Sequence, residues 1–246
     1  MRLPQTASDA FYTTSARAAV APVYHSFLKA LPLPLPNAPL IDPTCDNITN
    51  PCEAMLSVAY SNPSSLNVTS IRIDENLSKR ITLFARDNHA PSYEATRYWE
   101  EVSYQSSNTD SMTAGATILV APTKVNEFRA NWSQNTATFI TDLTNFHGSV
   151  VPPTSALFPS SSPNGLDLTS ALLSLGDMDV RGGIRNDNVL KQLNFVDTFS
   201  WAFGVHQLKF GIDYRQLSVP TSSGGTGYAI FPSYADMLSG LWRKSN

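Results

Sequence analysis

Two cysteines, Cys45 and Cys52, are the residues of this 246-residue chain most obviously suited to chemistry. They lie in Asp42-Pro-Thr-Cys-Asp-Asn-Ile-Thr-Asn-Pro-Cys-Glu53, a stretch dominated by turn-forming residues. In an oxidising compartment they can close a small disulfide loop, and otherwise they stay two thiols. Cα geometry decides between the two, and spacing alone does not supply it. A metal centre lacks its ligand set, because no histidine stands near the pair. The four histidines, His25, His89, His147 and His206, are far apart and share no motif. Asp177 and Asp179, close to Gly176 and Gly182, fall short of the roughly six to eight oxygens that calcium takes. Neither a Gly-x-Ser-x-Gly elbow nor a phosphate-cradling glycine loop occurs. The expectation is no enzyme and no cofactor.

The remaining charges recur at alternate positions, and the elements that place them are strands. Between Asn194 and Gln216, Phe195, Phe199, Trp201 and Phe203 fall on one face, interrupted by Asp197. Asn194, Thr198, Ser200 and Ala202 take the other face, with Val196 out of pattern. A turn at Gly204 to His206 leads to a second arm. There Leu208, Phe210, Ile212 and Tyr214 alternate with Lys209, Gly211, Asp213 and Arg215. Two arms of about ten residues with period-two alternation and a tight turn are the pattern of a transmembrane β-barrel. The expected lipid-facing set is Trp132, Phe195, Phe199, Trp201, Phe203, Phe210 and Tyr214. The expected lumen-facing charges are Arg72, Asp74, Glu127, Arg129, Lys209, Asp213 and Arg215. Those charges either contact a plug or substrate, or pair across neighbouring strands at ~0.2–1 kcal/mol each. Pairing is the expectation. The aromatics serve either as ligand-stacking platforms or as lipid-facing residues and interfacial girdle, and the girdle is the expectation.

Bulk properties agree without deciding. Charged residues make up 15%, against ~25% in ordinary soluble domains. The net charge of −3 offers no footprint for nucleic acid. No run of 18 apolar residues exists, which rules out a spanning helix and leaves a barrel open. Met1 to Ala10 carries one arginine and no apolar core, so it is no signal peptide. A barrel protein needs export, so the expected true start lies upstream.

Along the chain, Val20, Val23, Tyr24, Phe27, Leu28 and Leu31 predict a helix over 12–30, with Ser15 as its cap. Leu31-Pro-Leu-Pro-Leu-Pro36 ends it and continues as an extended connector. Strands are expected at about 68–87, 96–137 and 194–217, with tight turns near Glu75 to Lys79, Pro122 and Gly204. A second hairpin runs from Met112 through Ala121-Pro-Thr-Lys124 to Ser133. Residues 138–190 read as a long loop, marked by Pro152-Pro153, Ser160 to Pro163 and Gly182-Gly183, with a short helix at Asp167 to Leu175. Residues 1–67, 88–96, 138–190 and 218–236 are expected outside the cell. The chain divides into an extracellular loop and helix segment, 1–67, and a partial barrel, 68–246.

Several blocks in order resemble the barrel of TonB-dependent outer-membrane receptors, specifically the Oar-like group with a carboxypeptidase-regulatory-like domain. They are Val23 to Asn37; Ile71-Arg-Ile-Asp-Glu-Asn-Leu-Ser78 with Leu83-Phe-Ala-Arg86; Pro122-Thr-Lys-Val-Asn-Glu-Phe-Arg129; Asn194 to Arg215; and Tyr234-Ala-Asp-Met-Leu-Ser-Gly240. The resemblance implies an antiparallel up-and-down barrel of the 22-stranded, plugged class. This chain would supply about a third of its strands, and Leu241 to Asn246 does not look like a barrel's final strand. The implied function is energy-coupled uptake of a substrate that the resemblance does not identify. The implied partners are outer-membrane lipid, the rest of the barrel with its plug, and the TonB complex through that plug. A secreted all-β module that binds carbohydrate or another ligand is the competing reading. A sandwich packs apolar faces on each other, whereas a barrel turns them outward.

Overall fold

The computed structural model describes residues 5–153, 168–175, 178–223, 225–231 and 234–239. In chain order they form β1 (Gln5–Tyr12), α1 (Thr14–Ala19), a 3-10 turn (Pro22–Tyr24), α2 (His25–Leu28), β2 (Glu53–Tyr60), β3 (Ser64–Leu66) and β4 (Thr69–Ser78). β5 (Ile81–Tyr98), β6 (Glu101–Ala121), β7 (Lys124–Leu143), β8 (Leu168–Leu175) and β9 (Met178–Gly182) follow. The remainder is β10 (Ile184–Phe203), β11 (His206–Ser218), β12 (Thr221–Ser223), β13 (Gly225–Phe231) and α3 (Tyr234–Ser239). The protein is all-β, with antiparallel strands and short helices near its start.

One eight-stranded sheet dominates, in the order β11-β10-β7-β6-β5, edged at the far side by β3 and β4. Each neighbour in this sheet is antiparallel. Tight turns at Lys79–Arg80, Pro122–Thr123 and Gly204–Val205 close one end. Gly204 sits at φ 59, a conformation that glycine adopts without strain. The opposite end holds the turn Trp99–Glu100 and the connection that begins at Thr144. β6, at 21 residues, reaches ~70 Å at ~3.4 Å per residue. A tilted strand crosses lipid in about 9–11 residues, so only half of each long strand is needed for that.

The buried core sits at the loop end and not on the sheet. β1 pairs with β2 along their full length, and Phe11, Tyr12, Val20, Tyr24, Leu28, Leu31, Leu56 and Val58 pack with Trp99 and Met237. Trp99 holds a left-handed backbone, φ 56, which is costly for a bulky residue. Its ring is 4% exposed and meets Phe11 edge-on at 4.8 Å, a burial that offsets the cost. Arg17 crosses this core. Its guanidinium donates to the carbonyls of Tyr12, Leu28, Leu31 and Pro32, which gives the helix and proline ends their missing donors. A small sheet, β13-β8-β9, joins the same end, with β13 parallel to β8.

Several local expectations change. The helix expected over 12–30 is broken into α1, a 3-10 turn and α2, because Pro22 cannot donate within a continuous helix. Its cap is Thr13, whose Oγ1 accepts from the Ala16 N–H at 3.3 Å, in place of Ser15. Residues 88–96 are strand, and the turn lies at Trp99–Glu100 inside the stretch 96–137 expected as strand. The turn expected at Glu75 to Lys79 narrows to Lys79–Arg80. The loop expected over 138–190 is strand at both ends, since β7 runs to Leu143 and β10 starts at Ile184. Polar residues on both faces hid these extensions from a search for alternation. Leu168–Leu175 is a strand and not a helix, held by β9 and β13. Residues 1–67 are more than a loop, since β1 and β2 form a sheet of their own and β3 joins the large one. Ser160 to Pro163, Asp177 and Leu241 to Asn246 lie outside the described residues.

Candidate functional site

Register turns the alternation of single strands into two continuous surfaces. Directly opposed residues share a face. Phe195 pairs with Tyr214 and Ala130, Phe199 with Phe210, Trp201 with Leu208 and Lys124, and Trp132 with Met112 and Leu193. Phe203, opposite His206, completes the set. All seven expected lipid-facing residues therefore lie on one side of the sheet. Ile71, Ile73, Leu83, Ile118, Phe128 and Ile212 extend that side from edge to edge. Among the described residues nothing covers it: Ile73 is 66% exposed and Ile212 73%.

The apolar rows have sharp ends. From Phe203 to Leu193 the band covers about ten residues of β10, the length that a tilted strand needs to cross lipid. At the turn end, Trp201 meets Phe203 at 5.4 Å and Lys124 lies 4.8 Å over the Trp201 ring. This is an amphipathic girdle. At the other limit stands Trp132, and the next row is polar: Thr69, His89, Asp110, Gln134, Lys191 and Ser218. Thr69 begins β4 and Ser218 ends β11, so both edge strands break at that one row. Asp197 is an acid within the band, and it accepts from Asn126 Nδ2 at 2.9 Å.

The seven expected lumen-facing charges share the other side. Arg72 and Asp74 make a two-point pair at 2.8 and 2.7 Å, and Arg215 reaches Asp213 at 3.0 Å. The partners are two residues apart on the same strand, and not on neighbouring strands as expected. Register explains this, because Arg72 lies directly opposite Arg86, a like charge, and finds its acid along its own strand. Arg72 also stacks 4.6 Å over Phe84, whose ring covers Gly115. Glu127 stands opposite Thr117 and Thr198, Arg129 opposite Gly115 and Val196, and Lys209 opposite Ser200. Thr, Ser and Asn fill the rows between, which makes this a wet face.

At the loop end the same face meets the β1–β2 sheet around a cavity of about 490 Å³. Asp9, Glu53, Trp99, Glu100, Glu101 and Arg181 are among its walls. Glu100 is 3% exposed, and burial raises its carboxyl to about 8. Desolvation lowers Arg17 to about 10, and Glu100 partly offsets that. Sequence reading missed both residues, since neither belongs to a motif and Trp99–Glu100 looked like mid-strand. Cys45 and Cys52 are joined, with Cα atoms 5.1 Å apart. Between them Asp46 accepts from the N–H groups of Asn50, Ile48 and Thr49, which holds its carboxyl far below the usual range. This is a structural loop. Among the described residues, no three acids, histidines or cysteines converge closely enough for a metal ion.

No helix among the described residues is long and apolar enough to cross a membrane, a fact that does not bear on strands. No curated protein and no solved structure matches the chain. One family does, and its description is "Outer membrane beta barrel domain", over residues 3–246. An uncovered apolar band, a wet opposite face and this match agree, so the chain is an outer-membrane protein and belongs to the outer membrane beta barrel domain family.

Proposed function

We propose that this chain forms part of the wall of a TonB-dependent receptor of the Oar-like group, which takes up a substrate by energy coupling. The observation that carries this is the two-faced sheet with an apolar band about ten residues deep and long strands beyond it. A bare pore needs little above the band, whereas capture before passage calls for a structured mouth. The core over the loop end supplies one. Short turns belong on the periplasmic side and long connections outside, which puts that mouth toward the medium. The wet charged face then lines the path, and the role is transport and not catalysis.

The sheet is open, with β11 at one edge and β3 and β4 at the other. Lipid tolerates no unpaired strand edge, so further strands close the barrel. The secreted-module reading is not favoured, because among the described residues no second sheet packs on the apolar face. An immunoblot of the outer-membrane fraction, with antibody to the Asn194–Gln216 hairpin, is expected to show a band well above 26.8 kDa. Formaldehyde cross-linking in intact cells is expected to join that species to TonB. A membrane-free band at 26.8 kDa overturns the barrel-wall reading, and a heavy band without a TonB adduct overturns energy coupling.

A further inference from the structure

The lipid-facing side of the sheet is not flat. Ala85 of β5, Ala114 of β6 and Ala130 of β7 stand side by side in one row. Ile73 closes that row on β4, with Met112 and Trp132 one row toward the loops and Leu83 and Phe128 one row toward the turns. Small side chains among large ones leave a trough in two joined parts, of about 330 and 480 Å³. The two parts share Ile73, Ala85, Ala114 and Ala130 as walls. From Met112 to Ala116 the trough runs ~14 Å along β6, at ~3.4 Å per residue. Glu75, at its turn-side end, stands on the edge strand β4, where the next strand of the wall is due. At the loop-side end Asp87 is a wall in the Trp132 row. It is exposed, and among the described residues its carboxylate has no hydrogen bond or ion pair. The next row carries Asp110, Gln134 and Lys191 on neighbouring strands. Asp110 accepts from Asn108 Nδ2 at 2.8 Å and pairs with His89 Nδ1 at 2.6 Å. Lys191 is exposed and, among the described residues, unpaired. Acid therefore lies at one side of the trough's polar rim and cation at the other, about two strand spacings or ~10 Å apart.

We infer that this trough seats one acyl chain of a membrane lipid whose head carries both an ammonium and a phosphate. The ammonium lies against the carboxylates of Asp87 and Asp110, and the phosphate takes the Gln134 amide and the Lys191 ammonium. Charge complementarity selects this occupant. A purely anionic head would set its charge against two acids, whereas a two-signed head answers both sides of the rim with charge-assisted bonds. The tail follows from position, because the rim stands directly above the trough and the trough lies within the membrane band. An empty trough would forfeit dispersion contacts along its walls, and a single chain restores them. The inference rests on the outer-membrane assignment and holds whether or not uptake is energy-coupled.

The test uses the assembly that carries this chain, extracted from outer membranes in mild detergent. It is titrated with phosphatidylethanolamine while native mass spectrometry counts the bound lipids. Phosphatidylglycerol with the same tails is the anionic control. One phosphatidylethanolamine per copy of this chain is expected to bind at least about fivefold more tightly than phosphatidylglycerol. Asp87→Asn changes an exposed residue and is expected to bring the two lipids within about twofold. Ala114→Leu fills the trough and is expected to remove that lipid. Ile212→Leu, on the same face outside the trough, is expected to retain it. Equal affinity for the two lipids, or a lipid count unchanged by Ala114→Leu, overturns the inference. A benzophenone attached at Ala114→Cys that captures protein in place of lipid in intact cells also overturns it, and gives the trough to a protein partner.

Discussion

Glu100 and Gly115 are the residues where local chemistry has the clearest consequences. Glu100 has a folded pKa near 8 against an ordinary 4.5. Its protonated form therefore stabilises the mouth fully below about pH 4.5, and that contribution is lost as pH rises through 8. The difference amounts to a few kcal/mol, at ~1.4 kcal/mol per pH unit. Limited proteolysis of the β1–β2 sheet in isolated outer membranes should thus accelerate between pH 5 and 8, and Glu100→Gln should flatten that dependence. Gly115 permits Phe84 to lie across the wet face. An added Cβ would stand 2.5 Å from Phe84 Cε1 and 2.6 Å from the Phe128 carbonyl oxygen. Gly115→Ala is expected to cost ~1–3 kcal/mol as overpacking. A reduced folded fraction in heat-modifiability gels would register it, and Phe84→Ala in the same chain should recover part of the loss.

At the scale of elements, register defines a membrane band with definite limits, so position along one strand predicts tolerance to charge. Ala130, opposite Ala114 and Phe195, lies inside the band, whereas Gln134 lies in the polar row beyond it. Ala130→Arg is expected to cost ~2–4 kcal/mol in assembled protein, and Gln134→Arg ~0–1 kcal/mol. Urea titration of the outer-membrane form measures both, and equal costs would remove the band from this face. The hairpin Phe195 to Tyr214 was legible in the sequence because large apolar and polar side chains alternate there, with Val196 and Asp197 the exceptions. Residues 88–95 of β5, 138–143 of β7 and 184–190 of β10 were not. Beyond the polar row both faces carry polar residues, so Thr138, Asp187, Asn188 and their neighbours carry no period for a reader to find.

At the scale of the whole molecule, an uncovered apolar face and two open edges make the isolated chain an unstable object in water. Expressed alone without membrane, it is expected to aggregate or be degraded, and a monodisperse peak on size exclusion would contradict the barrel-wall assignment. The buried core at the mouth, by contrast, is a packed globular region of its own. The sequence by itself determined the all-β class, the tight turns at Pro122 and Gly204, and the two-sided character of the strands. Those are local properties, carried by side-chain period and turn chemistry. Only the tertiary structure decided that Thr69 and Ser218 end the edge strands at one row, that Arg72 pairs along its own strand, and that Glu100 is buried beside Arg17. Each of these depends on residues far apart in the chain meeting across register or core packing, and no local period encodes such a meeting.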